Sequence, residues 1–407
     1  MEKNELDKYV AEISPVKKMP SILSIAFHFQ TDEKMSGMFR FNEFLYAIEF
    51  AKDPFFAPEK KKGDAIEDSD EVRLKFYMAK NYHIEPTVAL IHEAIILMAY
   101  ENIYHPIKSY LKSLTWDQIP RLDNWLINSV HCKDNPYSRD ISKKIICAAI
   151  KRVFYPGCKF DYLMILEGEQ GIYKSTMVRI LGGEWYAPLL LSETNKDITD
   201  TLRGKWILEI EEMAGYSKAD VEHVKGFLSR QSDRVRLAFR RNTQDFPRQS
   251  IVIGTINPDG DNSYLKDSTG NRRFLPIECT RKIEIGYLTD IRDQLFAEAM
   301  TTYETEELFM SSPESQEIAL EVQQERQQVD GWAAAIDDWI EAHKVVEKIT
   351  PHRILREIIG MSIEKVNNGY LGKIGRIMKT LGWKRIVEGA SHRVFYVRPE
   401  KKWRDGQ

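Results

Sequence analysis

Gly168, Lys174 and Ser175 stand at the spacing G-x-x-x-x-G-K-[ST], inside the run Leu163-Met164-Ile165-Leu166-Glu167-Gly168-Glu169-Gln170-Gly171-Ile172-Tyr173-Lys174-Ser175-Thr176. A short apolar strand, a glycine-bearing turn and a helix opening on Lys-Ser-Thr are what a phosphate-binding loop requires. Backbone N–H groups curl round the phosphates, Lys174 adds a mobile positive charge and Ser175 offers a hydroxyl to Mg²⁺. The expected ATP contacts are Gly168, Gln170, Gly171, Ile172, Tyr173, Lys174, Ser175 and Thr176. One position departs from the pattern: Tyr173 replaces the glycine before the lysine, where a phenol would crowd the phosphates. Gly171, retained, is the position expected to need positive φ.

An ATPase also needs an acidic strand end to hold Mg²⁺ and polarise water. Trp206-Ile207-Leu208-Glu209-Ile210-Glu211-Glu212 supplies it. Strand alternation places Glu209 and Glu211 on one face, with Glu209 near the metal and Glu211 or Glu212 activating water. Asn257, ending the apolar strand Ser250–Asn257, is placed to contact a γ-phosphate or to form the turn before Pro258. Arg272 and Arg273 are the candidate arginine finger toward a neighbouring subunit. Six arginines fall between positions 230 and 248, namely Arg230, Arg234, Arg236, Arg240, Arg241 and Arg248, with Phe239 and Phe246 interleaved. Guanidiniums for phosphates and aromatics for bases make an expected single-strand-binding hairpin.

The elements that position these residues follow from periodicity. A helix spans Ser138 to Phe154, with Ile141, Ile145, Ala149 and Val153 on one face and Ser138 as its cap. Helices then alternate with apolar strands, which implies an α/β core with a parallel sheet and the phosphate site at the strands' carboxyl ends. Four segments are expected: a mainly helical region over 1–115, an ATPase domain over 116–312, a helical linker over 313–330, and a final module over 331–407. Within the first, Phe41–Ile48 reads as a strand or short helix, Glu59–Glu71 as a charged loop and Pro86–Tyr100 as an apolar-faced helix. The last reads helix, helix, helix, hairpin, the order of a winged helix-turn-helix. Its basic helix carries Lys373, Arg376 and Lys379, expected nucleic-acid contacts.

Composition is that of a globular chain, 43% hydrophobic and 29% charged over 407 residues. Gly369 to Arg404 holds ten Lys/Arg against two Glu, so a +8 end sits on a chain whose total is −3. That asymmetry points to a polyanion partner. The charged N-terminus is not a signal peptide and no stretch is apolar enough to span a bilayer, so a cytoplasmic protein is expected. Four scattered cysteines without C-x-x-C spacing read as buried thiols rather than a zinc site.

Taken jointly, Gly168-x-Gln170-Gly171-x-x-Lys174-Ser175-Thr176, Gly204-Lys205-Trp206-Ile207, Thr255-x-Asn257 and Thr269-Gly270-Asn271-Arg272-Arg273-Phe274 resemble the virulence-associated protein E family. Tyr104-His105-Pro106, Trp116-Asp117-x-x-Pro120-Arg121-Leu122 and Tyr155-Pro156-Gly157-Cys158-Lys159 extend the resemblance over roughly residues 80 to 300. It implies a phage or mobile-element ATPase similar to superfamily 3 helicases: an AAA+ core, ATP and Mg²⁺ as cofactors, DNA as partner, a homo-oligomeric ring, and a primase supplied separately, since residues before 116 leave no room for one. Two competing readings are a non-catalytic DNA-binding or regulatory protein with a degenerate nucleotide site, which Tyr173 favours, and a metabolic P-loop kinase, which the arginine hairpin and basic tail disfavour.

Overall fold

The computed structural model describes residues 20–190, 201–213, 216–235, 243–257, 264–265, 271–310, 312–326, 331–362, 365–388 and 393–398. The chain divides into two compact units, Met1–Glu325 and Arg326–Gln407.

The first unit opens with α1 (Ile22–Thr31), capped reciprocally by Ser21 and Ser24, and the hairpin β1 (Phe39–Asn42) and β2 (Ala47–Phe50). Asn42 Oδ1 accepts from the Phe44 and Leu45 amides at 3.0 Å each and so shapes the turn. Phe41–Ile48 is therefore neither one strand nor a helix. Next come α2 (Asp68–Tyr82), α3 (Val88–Glu101) and β3 (Ile103–Tyr104), which pairs parallel to β1. The expected charged loop ends at Glu67, because Asp68, Asp70 and Glu71 occupy the first turn of α2, where carboxylates favour the helix dipole. The region expected to be mainly helical thus also holds a three-stranded sheet.

The larger part contains α4 (Pro106–Ser113), α5 (Trp125–Val130), α6 (Pro136–Phe154), β4 (Leu163–Glu167), α7 (Lys174–Gly182), β5 (Tyr186–Pro188) and β6 (Ile207–Ile210). It continues through α8 (Lys218–Leu228), the antiparallel hairpin β7 (Ser232–Val235) and β8 (Gln244–Pro247), then β9 (Ile251–Ile256), β10 (Phe274–Glu278), α9 (Ile285–Ala299) and α10 (Pro313–Glu325). The cap of α6 is Asn135, with Pro136 at the first helical position, so Ser138 lies buried inside the helix instead of starting it.

Five strands form one parallel sheet in the order β10-β4-β9-β6-β5. Its three central strands, β4, β9 and β6, are buried along their length and mostly apolar because both faces are covered. Met164, Leu166, Ile253 and Ile277 belong to the core on one face, while Leu163, Ile165, Leu208 and Val252 belong to the core on the other. The first of these cores also takes in Phe44, Ile107 and Leu111 from before position 115. Helix α10, expected within a linker, is packed: Ala319 joins the same core and Gln323 Nε2 donates to the Phe274 carbonyl at 2.8 Å.

The second unit runs α11 (Gly331–Ala342), β11 (Lys348–Ile349), α12 (Pro351–Arg353 continuing as a π-helical turn, Ile354–Ile358), α13 (Asn368–Thr380), β12 (Lys384–Glu388) and β13 (Arg393–Val397). The sheet order is β11-β13-β12, so a short strand not expected from the sequence lies beside the hairpin. Its core is built on Ile354, Leu355, Ile374, Met378 and Trp383.

Candidate functional site: a lysine-centred loop at the sheet's carboxyl edge

Strand β4 delivers the chain into a loop that only particular backbones permit. At Gly168, an added Cβ would lie 2.6 Å from Ile172 Cδ1 and 2.8 Å from the Cys279 carbonyl oxygen, so no side chain fits. Gly171 takes φ +83°, as expected of it, but Tyr173 is also left-handed, at φ 74° and ψ 25°. A left-handed L-residue costs roughly 1–2 kcal/mol. The Tyr173 ring is 48% exposed and lies 5.9 Å beneath the Lys282 ammonium, directed outward and not into the loop. What glycine would supply at this position is backbone freedom, and the tyrosine adopts the same conformation under strain.

Tyr173 caps α7 without a side-chain hydrogen bond, which leaves the first-turn amides of that helix to another acceptor. Lys174 is buried, and its Nζ donates to the carbonyls of Gly168 and Glu169, both at 2.7 Å, and to Asn257 Oδ1 at 2.8 Å. All three acceptors are neutral. Burial pushes the Lys174 ammonium below its ordinary pKa. A buried cation held by neutral oxygens beside uncapped helix amides is a receptor for an anion. Ser175 is half-buried next to it, whereas Gln170 and Thr176 are exposed and Ile172 anchors the loop, its carbonyl accepting from the Ile283 amide at 3.1 Å.

The acidic strand is arranged differently from expectation. Glu209 is fully buried, and both carboxylate oxygens are already engaged: Oε2 accepts from the Tyr186 hydroxyl at 2.7 Å and Oε1 from the Thr255 hydroxyl at 2.8 Å. Its oxygens therefore tie β6 to β5 and β9, one accepted hydrogen bond on each, which leaves each oxygen a further lone pair. Burial and the Glu209 charge push the Tyr186 phenol up. Because β6 ends at Ile210, the alternation rule does not extend to Glu211 and Glu212, which are exposed beyond it. Burial, then Glu209 and Glu212, raise the Glu211 carboxyl. Glu212 has φ 52°, a second strained non-glycine residue near the site. Strand β9, which ends beside Asn257, separates β4 from β6, so the backbones of the loop strand and the acidic strand lie about 10 Å apart, at about 4.8 Å per strand.

Of the arginine pair, Arg273 lies 3.4 Å from Asp161 of its own chain, while Arg272 is exposed. Arg248 is a correction to the expected nucleic-acid set. It is buried, pairs with Asp233 through Nε at 2.6 Å and Nη2 at 2.9 Å, and stacks 3.9 Å over the Phe227 ring. Phe246 is likewise buried, edge-on to Tyr46 at 4.7 Å, so it is not a free stacking platform. Arg234 is 73% exposed on β7, 3.8 Å from its cross-strand partner Asp245. Arg236, Arg240 and Arg241 lie outside the described residues. On α13, Lys373 is set 4.2 Å over the Trp332 ring, Lys379 is exposed, and the Arg376 side chain is outside the description. Tyr186, Asp161 and Asp233 carry no signal in the sequence, and Thr255 enters it only as a motif position, since each matters through a partner distant along the chain.

No helix among the described residues is long and apolar enough to cross a membrane. Residues 111–328 match the family model described as virulence-associated protein E-like domain. No curated protein matches the chain. Among solved structures, the apo NrS-1 C-terminal region (305–718) aligns with TM-score 0.49 at 13% identity, covering 88% of this chain and 95% of that one. An A-form apo structure of the same region gives 0.48 at 13%, covering 93% and 99%. The family match spans more than half of the 407 residues, and the chain belongs to the virulence-associated protein E-like domain family.

Proposed function

We propose that the chain is an ATP-hydrolysing, DNA-acting protein of a phage or mobile element, an AAA+ P-loop ATPase that works as a ring in replication. One observation carries the reading: the Lys174 ammonium sits at the heart of the 168–174 loop, joined to Asn257 and matched by no carboxylate among the described residues. The order β10-β4-β9-β6-β5, with the loop strand and the acidic strand separated by the strand that ends at Asn257, supports it. So does the helix–strand–helix–helix–hairpin order of the second unit, which is that of a winged helix.

The donor set fits Mg²⁺–ATP, which when bound supplies the transferable phosphoryl group. Lys174 and the first amides of α7 would hold the phosphates, and the Ser175 hydroxyl would face the metal. Asn257 would orient water, Glu211 or Glu212 would take its proton, and Glu209 would fix the strand end that carries them. Arg272 would reach a neighbouring subunit's γ-phosphate.

The test is ATP hydrolysis by the full chain with and without single-stranded DNA, for wild type and Lys174→Ala. Stimulation by DNA, and a loss on the order of 100-fold in the variant with an intact fold, are expected. Wild-type turnover in Lys174→Ala would remove the reading. ATP binding without turnover in the wild type would favour a regulatory protein, the reading to which the strained Tyr173 lends weight.

A further inference from the structure

The second unit holds a cavity of about 870 Å³ between α12, α13 and the β12–β13 hairpin. Lys379, Arg385, Arg393 and His352 line it, and no lining residue is acidic. Lys379, Arg385 and Arg393 are exposed and make no ion pair among the described residues. Four other cations of this unit are engaged: Lys348 with Glu388, Arg353 and Arg356 with Glu357, while Arg398 donates to the Lys344 and Ile340 carbonyls. Glu388 sits directly across the ladder from Arg393, yet Lys348 takes it. Three cations without an ion pair thus line one groove, while Lys365 and Lys384, exposed and also without one among the described residues, lie outside its lining.

Two further features give the groove a built interior. Gly372 and Gly375 face it from α13, so the helix presents backbone where side chains would otherwise fill the space. At Gly375 an added Cβ would lie 3.0 Å from the Tyr396 hydroxyl, a tight contact. Tyr396 is only 3% exposed as a residue and lines the cavity, where its hydroxyl stands beside Gly375. The expected contact Lys373, by contrast, lies over Trp332, away from the groove's lining.

We propose that this groove seats the phosphodiester backbone of duplex DNA, with Lys379, Arg385 and Arg393 as phosphate contacts and the Tyr396 hydroxyl as a hydrogen-bond donor at its floor. The proposal rests on the reading of the second unit as a DNA-binding module and specifies which face of it binds. Cations that neutralise phosphates release counterions, so each contact contributes about 0.9 to the salt slope of affinity.

The experiment is duplex binding by the full chain, followed by fluorescence anisotropy across a salt series. In the Lys379→Ala/Arg385→Ala/Arg393→Ala variant, affinity should fall tenfold or more at low salt and the slope should flatten by about 3. Lys344→Ala, which removes an exposed cation paired with Glu341 outside the groove, should bind as wild type, and Tyr396→Phe should weaken binding without changing the slope. If the triple variant does not fold, Arg393→Gln alone should flatten the slope by about 1. Wild-type affinity and slope in the charge variants, with duplex still bound by the wild type, overturn the groove and leave the DNA-binding reading standing. A wild-type chain that binds no duplex removes both.

Discussion

At the residue scale, Tyr173 separates two ways in which a tyrosine can disturb a phosphate loop. Its ring is outward, beneath Lys282, so it does not fill the space above the loop; its backbone, at φ 74°, is where the cost lies. Tyr173→Ala should leave ATP affinity within about twofold, because the ring is not in the way. It should also be the less stable of two variants, since alanine keeps the strained φ. Tyr173→Gly relieves roughly 1–2 kcal/mol of left-handed strain but loses about 0.5–1 kcal/mol to unfolded-chain entropy. Thermal unfolding ranks the pair, and nucleotide titration reads the affinity. A tenfold gain in affinity for Tyr173→Ala would show that the phenol crowds the phosphates after all.

At the element scale, the hairpin β7–β8 divides its arginines by depth. Arg248 fixes the base: its guanidinium joins Asp233 on β7 and lies over Phe227 of α8. Removing one partner of a buried pair leaves the other charge uncompensated, so Arg248→Ala should destabilise the fold by about 3–5 kcal/mol. Arg234, exposed with a loose cross-strand neighbour, should cost less than about 1 kcal/mol when changed to alanine. Denaturant unfolding of the two variants checks the contrast. An Arg248→Ala protein of wild-type stability that has lost DNA-stimulated hydrolysis would return Arg248 to a nucleic-acid role.

At the scale of the whole molecule, a ring requires one subunit to complete its neighbour's site. Arg273 is held against Asp161 of its own chain, which leaves the exposed Arg272 as the group able to reach across. Lys174→Ala and Arg272→Ala proteins should each be inactive, and mixing them should recover part of the hydrolysis, because some interfaces in a mixed ring keep both groups. Arg273→Ala in place of Arg272→Ala should instead lower stability. Rates measured after subunit exchange decide it: mixtures that exchange but never regain activity place the finger within its own subunit or nowhere.

The sequence by itself determined what contiguous residues dictate. The phosphate-loop spacing, the helix after it, the apolar strand ending at Asn257 and the helix–hairpin order of the tail are local patterns, set by backbone geometry and side-chain period. Tertiary structure alone decided which polar residues are used up. Arg248 and Asp233 are 15 positions apart, and Glu209 meets Thr255 across 46, so no short run of sequence reveals that these groups already have partners. An arginine reads the same on a surface and in a core; only the partners brought beside it by the sheet and hairpin determine whether it meets DNA or Asp233.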